Sequence, residues 1–138
     1  MARYQLMESF AGFDDFLVYL GIAAALLAVF VAIYVRITPY REIALIRDGN
    51  SAAAFSLSGT IIGMVLPLAS ALENSVNLVD LAVWCTIALA VQIVVFIVAR
   101  IALPNIVKDI PADKQASGIF LGAISIAAGL LNAAAMSY

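Results

Sequence analysis

GIAAALLAVFVAIYV, residues 21–35, carries no charged side chain and no polar residue recurring at helical spacing. A helix at the surface of a soluble protein keeps a polar face, with hydrophilic residues every three to four positions. This one has none, so its solvent must be lipid. Three further stretches share the property. The runs Phe16–Val35, Ala52–Leu72, Leu81–Ala99 and Ala116–Tyr138 contain no Asp, Glu, Lys, Arg or His. Crossing a hydrocarbon core of about 30 Å takes roughly 20 apolar residues in a helix. The expected fold is therefore all-α, an integral membrane bundle of four transmembrane helices.

Composition agrees. The hydrophobic fraction is 65% and the mean hydropathy +1.10, whereas soluble domains are roughly 45–50% apolar. A soluble four-helix bundle would leave a very large apolar surface in water. Of the 138 residues, 1–15 read as an outer tail and 16–138 as a single four-helix membrane domain. The connections between spans are too short to fold by themselves. A net charge of −2 with scattered basic residues leaves no nucleic-acid footprint. Cys85 has no second cysteine to bridge to. With no histidine in the chain, His-based metal or acid–base chemistry is excluded. Asp14 and Asp15 precede the first span where a cleaved signal peptide would carry a basic region, so that span is expected to persist as a helix.

Six of the seven basic residues fall in two loops. Arg36, Arg41 and Arg47 follow the first span; Arg100, Lys108 and Lys114 follow the third. Short loops rich in Lys and Arg stay cytoplasmic, which predicts both termini on the periplasmic side of an inner membrane. The six cations are then candidate contacts for lipid headgroups or for a peripheral partner. Trp84 and Tyr138 would mark the outer boundary, and Tyr34 and Tyr40 the inner one. Leu6, Phe10 and Phe13 have the spacing of a short helix lying on the outer surface; disorder is the alternative for so short a tail. In the first basic loop, Thr38 suits an N-cap, Pro39 the first helical position and Gly49 the C′ position. Ile43 and Ile46 of that helix would face lipid.

The chain repeats itself. A shift of 63 residues places Gly59 on Gly122, Leu68 on Leu131 and Ala71 on Ala134. Repeat one is 16–72 and repeat two 79–138, each an apolar helix, an Arg, a Pro (Pro39, Pro104), and a helix rich in Gly, Ala and Ser. Two spans per unit make the repeats parallel, unlike the inverted repeats of many transporters.

The second and fourth spans carry the small residues Gly59, Gly63 and Ser70, and Gly118, Gly122, Ser125 and Gly129, with Asn132 on the same face. Lipid gives helices no hydrophobic reason to associate, so close approach over small residues supplies the attraction. These faces are expected to be helix-packing seams or, alternatively, to line a path, with the first and third spans nearer lipid. Pro67 frees the carbonyl of Gly63 four residues earlier. That carbonyl could be closed by Thr60 or Ser70, or coordinate a cation. Gln92 lies at the depth of Thr60 and Ser125 and is expected to join them in one polar cluster, with Asn132 and Ser70 in a second. Glu73 and Asp80 bracket the outer loop as solvated boundary charges or, alternatively, as an outward cation site. No acid–base pair, metal ligand set or phosphate loop is present, and neither an enzyme nor a cofactor is expected.

The run TPYREIALIRDGNSAAAFSLSGTIIGMVLPLASAL (38–72), then Asp80, Trp84, Gln92, Arg100 and Pro104, then GIFLGAISIAAGLLNAA (118–134), closely resembles the bacterial inner-membrane family called domain of unknown function 350. Glu73 lies outside that family's pattern. The resemblance implies four spans in two tandem two-span units, and no established activity. It also implies a genomic neighbourhood of phage-shock-protein-A-like membrane-remodelling proteins and ATP-grasp ligases, and so a peripheral partner in envelope maintenance or stress. Two functions follow as expectations. One is a homo-oligomeric membrane scaffold or anchor that recruits such a partner; the other is a small oligomeric channel or transporter lined by the second and fourth helices.

Overall fold

Seven helices in the computed structural model, which describes residues 1–136, follow from where charge and turn-forming residues interrupt the apolar runs. They are α1 (Ala2–Phe10), α2 (Phe13–Ile37), α3 (Glu42–Arg47), α4 (Ser51–Asn74), α5 (Leu78–Ala102), α6 (Ile106–Asp109) and α7 (Gln115–Ala135). Four helical stretches are long and apolar enough to cross a membrane, the first running through α1 and α2 and the others being α4, α5 and α7. α3 and α6 sit in the two basic loops, which together form the basic end of the bundle. Only Ala11 and Gly12 separate α1 from α2, and the rings of Phe10, Phe13 and Phe16 contact one another in sequence across the junction.

α4 is the centre of the bundle. In its most apolar window 56% of the residues are buried, against 33% in α5, 28% in α7 and 6% in the α1–α2 stretch. The expected division of labour therefore holds only in part. α2 does face lipid. α7, however, buries only the stripe Ser117, Gly118, Leu121, Gly122, Ser125 and Gly129, and presents Ile119, Phe120, Leu130 and Leu131 outward. Small residues fix which face of a helix packs, but they do not move the whole helix inward.

One cluster centred on Tyr34, Leu57, Met64, Phe96, Ile106 and Leu121 fills the middle and the basic end. A second, of Leu68, Ala71, Leu81, Cys85 and Met136, fills the opposite end, with Trp84 packed against it. Tyr34 and Tyr40 were expected at the interface. Instead they are only 2% and 8% exposed, their rings meeting Phe96 at 6.4 and 6.2 Å.

The first basic loop differs from its sequence reading at its start. Thr38 is extended and closes α2, as expected of a residue forced out of the helical region by the following proline. Burial of Tyr40 carries the chain inward before α3 begins at Glu42, with Arg41 at the N-cap position and no side-chain cap. Gly49, at φ 87°, does terminate that helix. Ile43 is exposed, but Ile46 packs against the core rather than facing outward.

The two basic loops are tied to each other at the start of α4. The Asn50 carboxamide oxygen accepts from the Ala53 N–H at 2.8 Å, capping α4, while its Nδ2 donates to the carbonyls of Ile110 and Pro111 at 2.8 and 3.2 Å. Asp113 returns from the other loop, accepting from the Ala52 N–H and the Ser51 hydroxyl, both at 2.9 Å. At the far end Asn77 caps α5 through the Asp80 N–H, and Asp80 accepts from the Val76 N–H. Asp80 is thus a capping residue, while Glu73 is exposed.

Candidate functional site

α4 and α7 meet along glycines with almost nothing between their backbones. A Cβ added to Gly59 would strike the backbone of Gly122; one on Gly118 would strike Ala52, and one on Gly122 the Phe55 carbonyl. Gly63 lies against the Ser125 carbonyl, and Gly129 against that of Gly63. Residue numbers rise together on both sides, from Ala52 with Gly118 to Gly63 with Gly129, so the two helices run parallel. Each contact directs a glycine Cα–H at backbone of the facing helix, and where that is a carbonyl the weak hydrogen bond recurs at close membrane-helix crossings.

The same register answers where the carbonyl freed by buried Pro67 goes. Neither Thr60 nor Ser70 closes it. The Thr60 hydroxyl donates to the Ser56 carbonyl at 3.0 Å. The Gly63 oxygen instead abuts the backbone of Gly129.

Polar side chains gather where the seam meets α5 and α2. Gln92, only 1% exposed, donates from Nε2 to the Ser125 carbonyl at 3.1 Å. The Thr60 oxygen lies 3.4 Å from the Ser125 hydroxyl and 3.5 Å from the Tyr34 hydroxyl. Because the one Thr60 proton is committed to Ser56, these two hydroxyls can only donate toward it. Gln92, Thr60 and Ser125 are thus brought together, with Tyr34 added. Asn132 is not joined to Ser70: its Nδ2 is buried without a hydrogen-bond partner, as is Oε1 of Gln92.

At the basic end all six sequence-selected cations, Arg36, Arg41, Arg47, Arg100, Lys108 and Lys114, are exposed. Among the described residues the one ion pair is Lys114 with Asp109, at 3.4 Å. Sequence reading missed Glu42, which is 1% exposed and meets the Thr38 hydroxyl. Burial pushes its carboxyl from 4.5 up to about 7, against the lowering effect of that hydroxyl. Thr38 also reaches the Val35 carbonyl at 3.2 Å. A protonated Glu42 can donate to Thr38 while Thr38 donates to Val35, so the neutral acid satisfies all three groups. The same burial, followed by the neighbouring Glu42 carboxylate, raises the Tyr40 phenol. Asp113 is held below the usual carboxylate range by the Ala52 N–H and the Ser51 hydroxyl. The signal for Glu42 was its place between Tyr40 and Ile43 in a loop otherwise rich in exposed charge. No group of three or more His, Cys, Asp or Glu side chains that could hold a metal occurs among the described residues.

Relatives agree with this membrane architecture. The chain is 39% identical over 123 residues to the UPF0719 inner membrane protein YjfL of Escherichia coli K12, covering 89% of this chain and 93% of that one. The same protein from Escherichia coli O157:H7 matches equally. No solved structure matches. The model of the family described as Domain of Unknown Function (DUF350) matches residues 6–136, and the chain, a multi-pass inner-membrane protein with four apolar helices, belongs to that family.

Proposed function

We propose that the protein is a non-enzymatic membrane scaffold, built of two tandem helix pairs, that self-assembles and offers its basic end to an acidic peripheral partner on the cytoplasmic side. The closed α4–α7 seam carries this reading. Backbone meets backbone along the whole run from Ala52 to Gly63, and the polar groups beside it are largely spent on one another. What remains available is the set of exposed cations at one end, five of them outside any ion pair among the described residues. Since the seam is consumed within the subunit, self-assembly would use the outward faces, above all that of sparsely covered α2.

A vesicle flotation assay tests it. Purified protein in phosphatidylcholine vesicles is expected to carry a phage-shock-protein-A-like protein to the top of the gradient, and R41Q/R47Q to leave it at the bottom. Equal flotation by both would sink the proposal. The second reading, an oligomeric channel, is favoured by the buried and unpartnered Gln92 Oε1 and Asn132 Nδ2, which water on a path between the helices would satisfy. Solute flux through the same vesicles, lost in Gln92→Leu, would replace the scaffold with the channel.

A further inference from the structure

α2 touches the bundle so lightly that a groove is left between it and α4. Its main part has a volume of about 520 Å³, with Ala24, Ala28 and Ala32 along one wall and Ile61 across from them. Val35 and Ile43 line both this apolar groove and a second hollow of about 290 Å³, whose other walls include Arg41, Glu42 and Arg47. The two therefore adjoin, one greasy along the helices and the other cationic where α3 crosses its end. From Ala24 to Val35 the groove runs about 16 Å at 1.5 Å per residue. That is half of a hydrocarbon core of about 30 Å, the depth of one leaflet.

We propose that this groove is a binding site for one anionic phospholipid, with its phosphate held by Arg41 and Arg47 and one acyl chain lying along Ala24, Ala28 and Ala32. Among the described residues neither arginine has a carboxylate partner. Glu42, the acid in the wall of the hollow, is turned inward onto Thr38 rather than toward them, where burial favours its neutral form. Two guanidinium forks suit a phosphate bidentately, where lysines would offer only point charge. A second copy of the chain fits less well. The ends of its α2 and α5 carry Arg36 and Arg100, so either helix laid in the groove would bring a cation against two others.

The chain is as apolar as the lipid around it, so selectivity must come from the headgroup. Native mass spectrometry of the full chain from micelles holding equal phosphatidylglycerol and phosphatidylcholine of identical acyl composition reads this directly. The expected result is one retained phosphatidylglycerol per protomer, enriched about thirtyfold, the order that two arginines at about 1 kcal/mol each give at an anionic surface. R41Q/R47Q should abolish the enrichment, while K108Q/K114Q, with the same loss of charge, should keep it. Ala28→Phe, at an exposed position, should expel the lipid while leaving helicity unchanged. Equal retention of the two lipids overturns the proposal, as does R41Q/R47Q behaving as wild type. Displacement by inorganic phosphate with no effect of Ala28→Phe would reduce the site to a simple anion site. Dimers that exclude lipid would hand the groove to a second copy. No protein partner enters this assay, so its outcome is separate from that of the recruitment reading.

Discussion

Glu42 is the residue whose behaviour departs furthest from its surroundings in sequence. Its neighbours Arg41 and Ile43 are exposed and it is not, because Tyr40 pulls the chain inward onto Phe96 two residues before the start of α3. Its sequence neighbours read as an amphipathic loop helix. The tertiary anchor that inverts this lies in α5, more than fifty residues away. A carboxyl raised from 4.5 to about 7 by burial makes stability depend on pH with a definite sign. Below about 4.5 both the folded and unfolded states hold the proton and no penalty exists. Between there and about 7 only the unfolded state releases it, so stability falls; above 7 the penalty is complete, at most about 3 kcal/mol. Glu42→Gln removes the titration. Thermal melts in detergent should therefore show the wild type losing ground to Glu42→Gln from about pH 5 to pH 8, and parallel curves would contradict the burial argument.

Among the elements, the α4–α7 pair was the most legible in sequence, because Gly59, Gly63, Gly118, Gly122 and Gly129 leave side-chain-free faces that only another backbone can fill. What could not be read was how each helix shares itself between seam and lipid. α7 spends one stripe on α4 and the rest on the bilayer, while α5 is drawn in by Gln92 and Phe96. Hydropathy does not separate a lipid-facing leucine from a buried one, since both environments are apolar. Glycine position does separate two outcomes of one substitution. Gly59→Ala puts a methyl into the Gly122 backbone and should cost about 1–3 kcal/mol of unfolding free energy. Gly21→Ala meets nothing within 4 Å and should be neutral or stabilising by up to about 1 kcal/mol. Denaturation in mixed micelles measures both, and equal costs would mean that the seam is looser than its backbone contacts describe.

For the whole molecule, four spans and a basic end were visible from where charge is missing and where arginine gathers. The ties between the loops were not, because Asn50 and Asp113 stand 63 residues apart and their bonds to the other loop are set by tertiary placement. The side on which the basic end lies is open to direct measurement. A fluorescent protein fused after Tyr138 should stay dark if the termini are periplasmic, and bright cytoplasmic fluorescence would reverse the proposed orientation. The parallel course of α4 and α7 has an electrostatic cost. Each helix carries roughly half a positive elementary charge at its N-terminus and the opposite at its C-terminus, and running in parallel at glycine distance places like ends together. Asp113, on the Ala52 N–H, and Asp109, held by the Ser117 hydroxyl and Lys114, lie at the paired positive ends. Two acids thus sit in the most basic part of the protein as counterions for backbone dipoles, and of the cations around them only Lys114 is drawn into an ion pair.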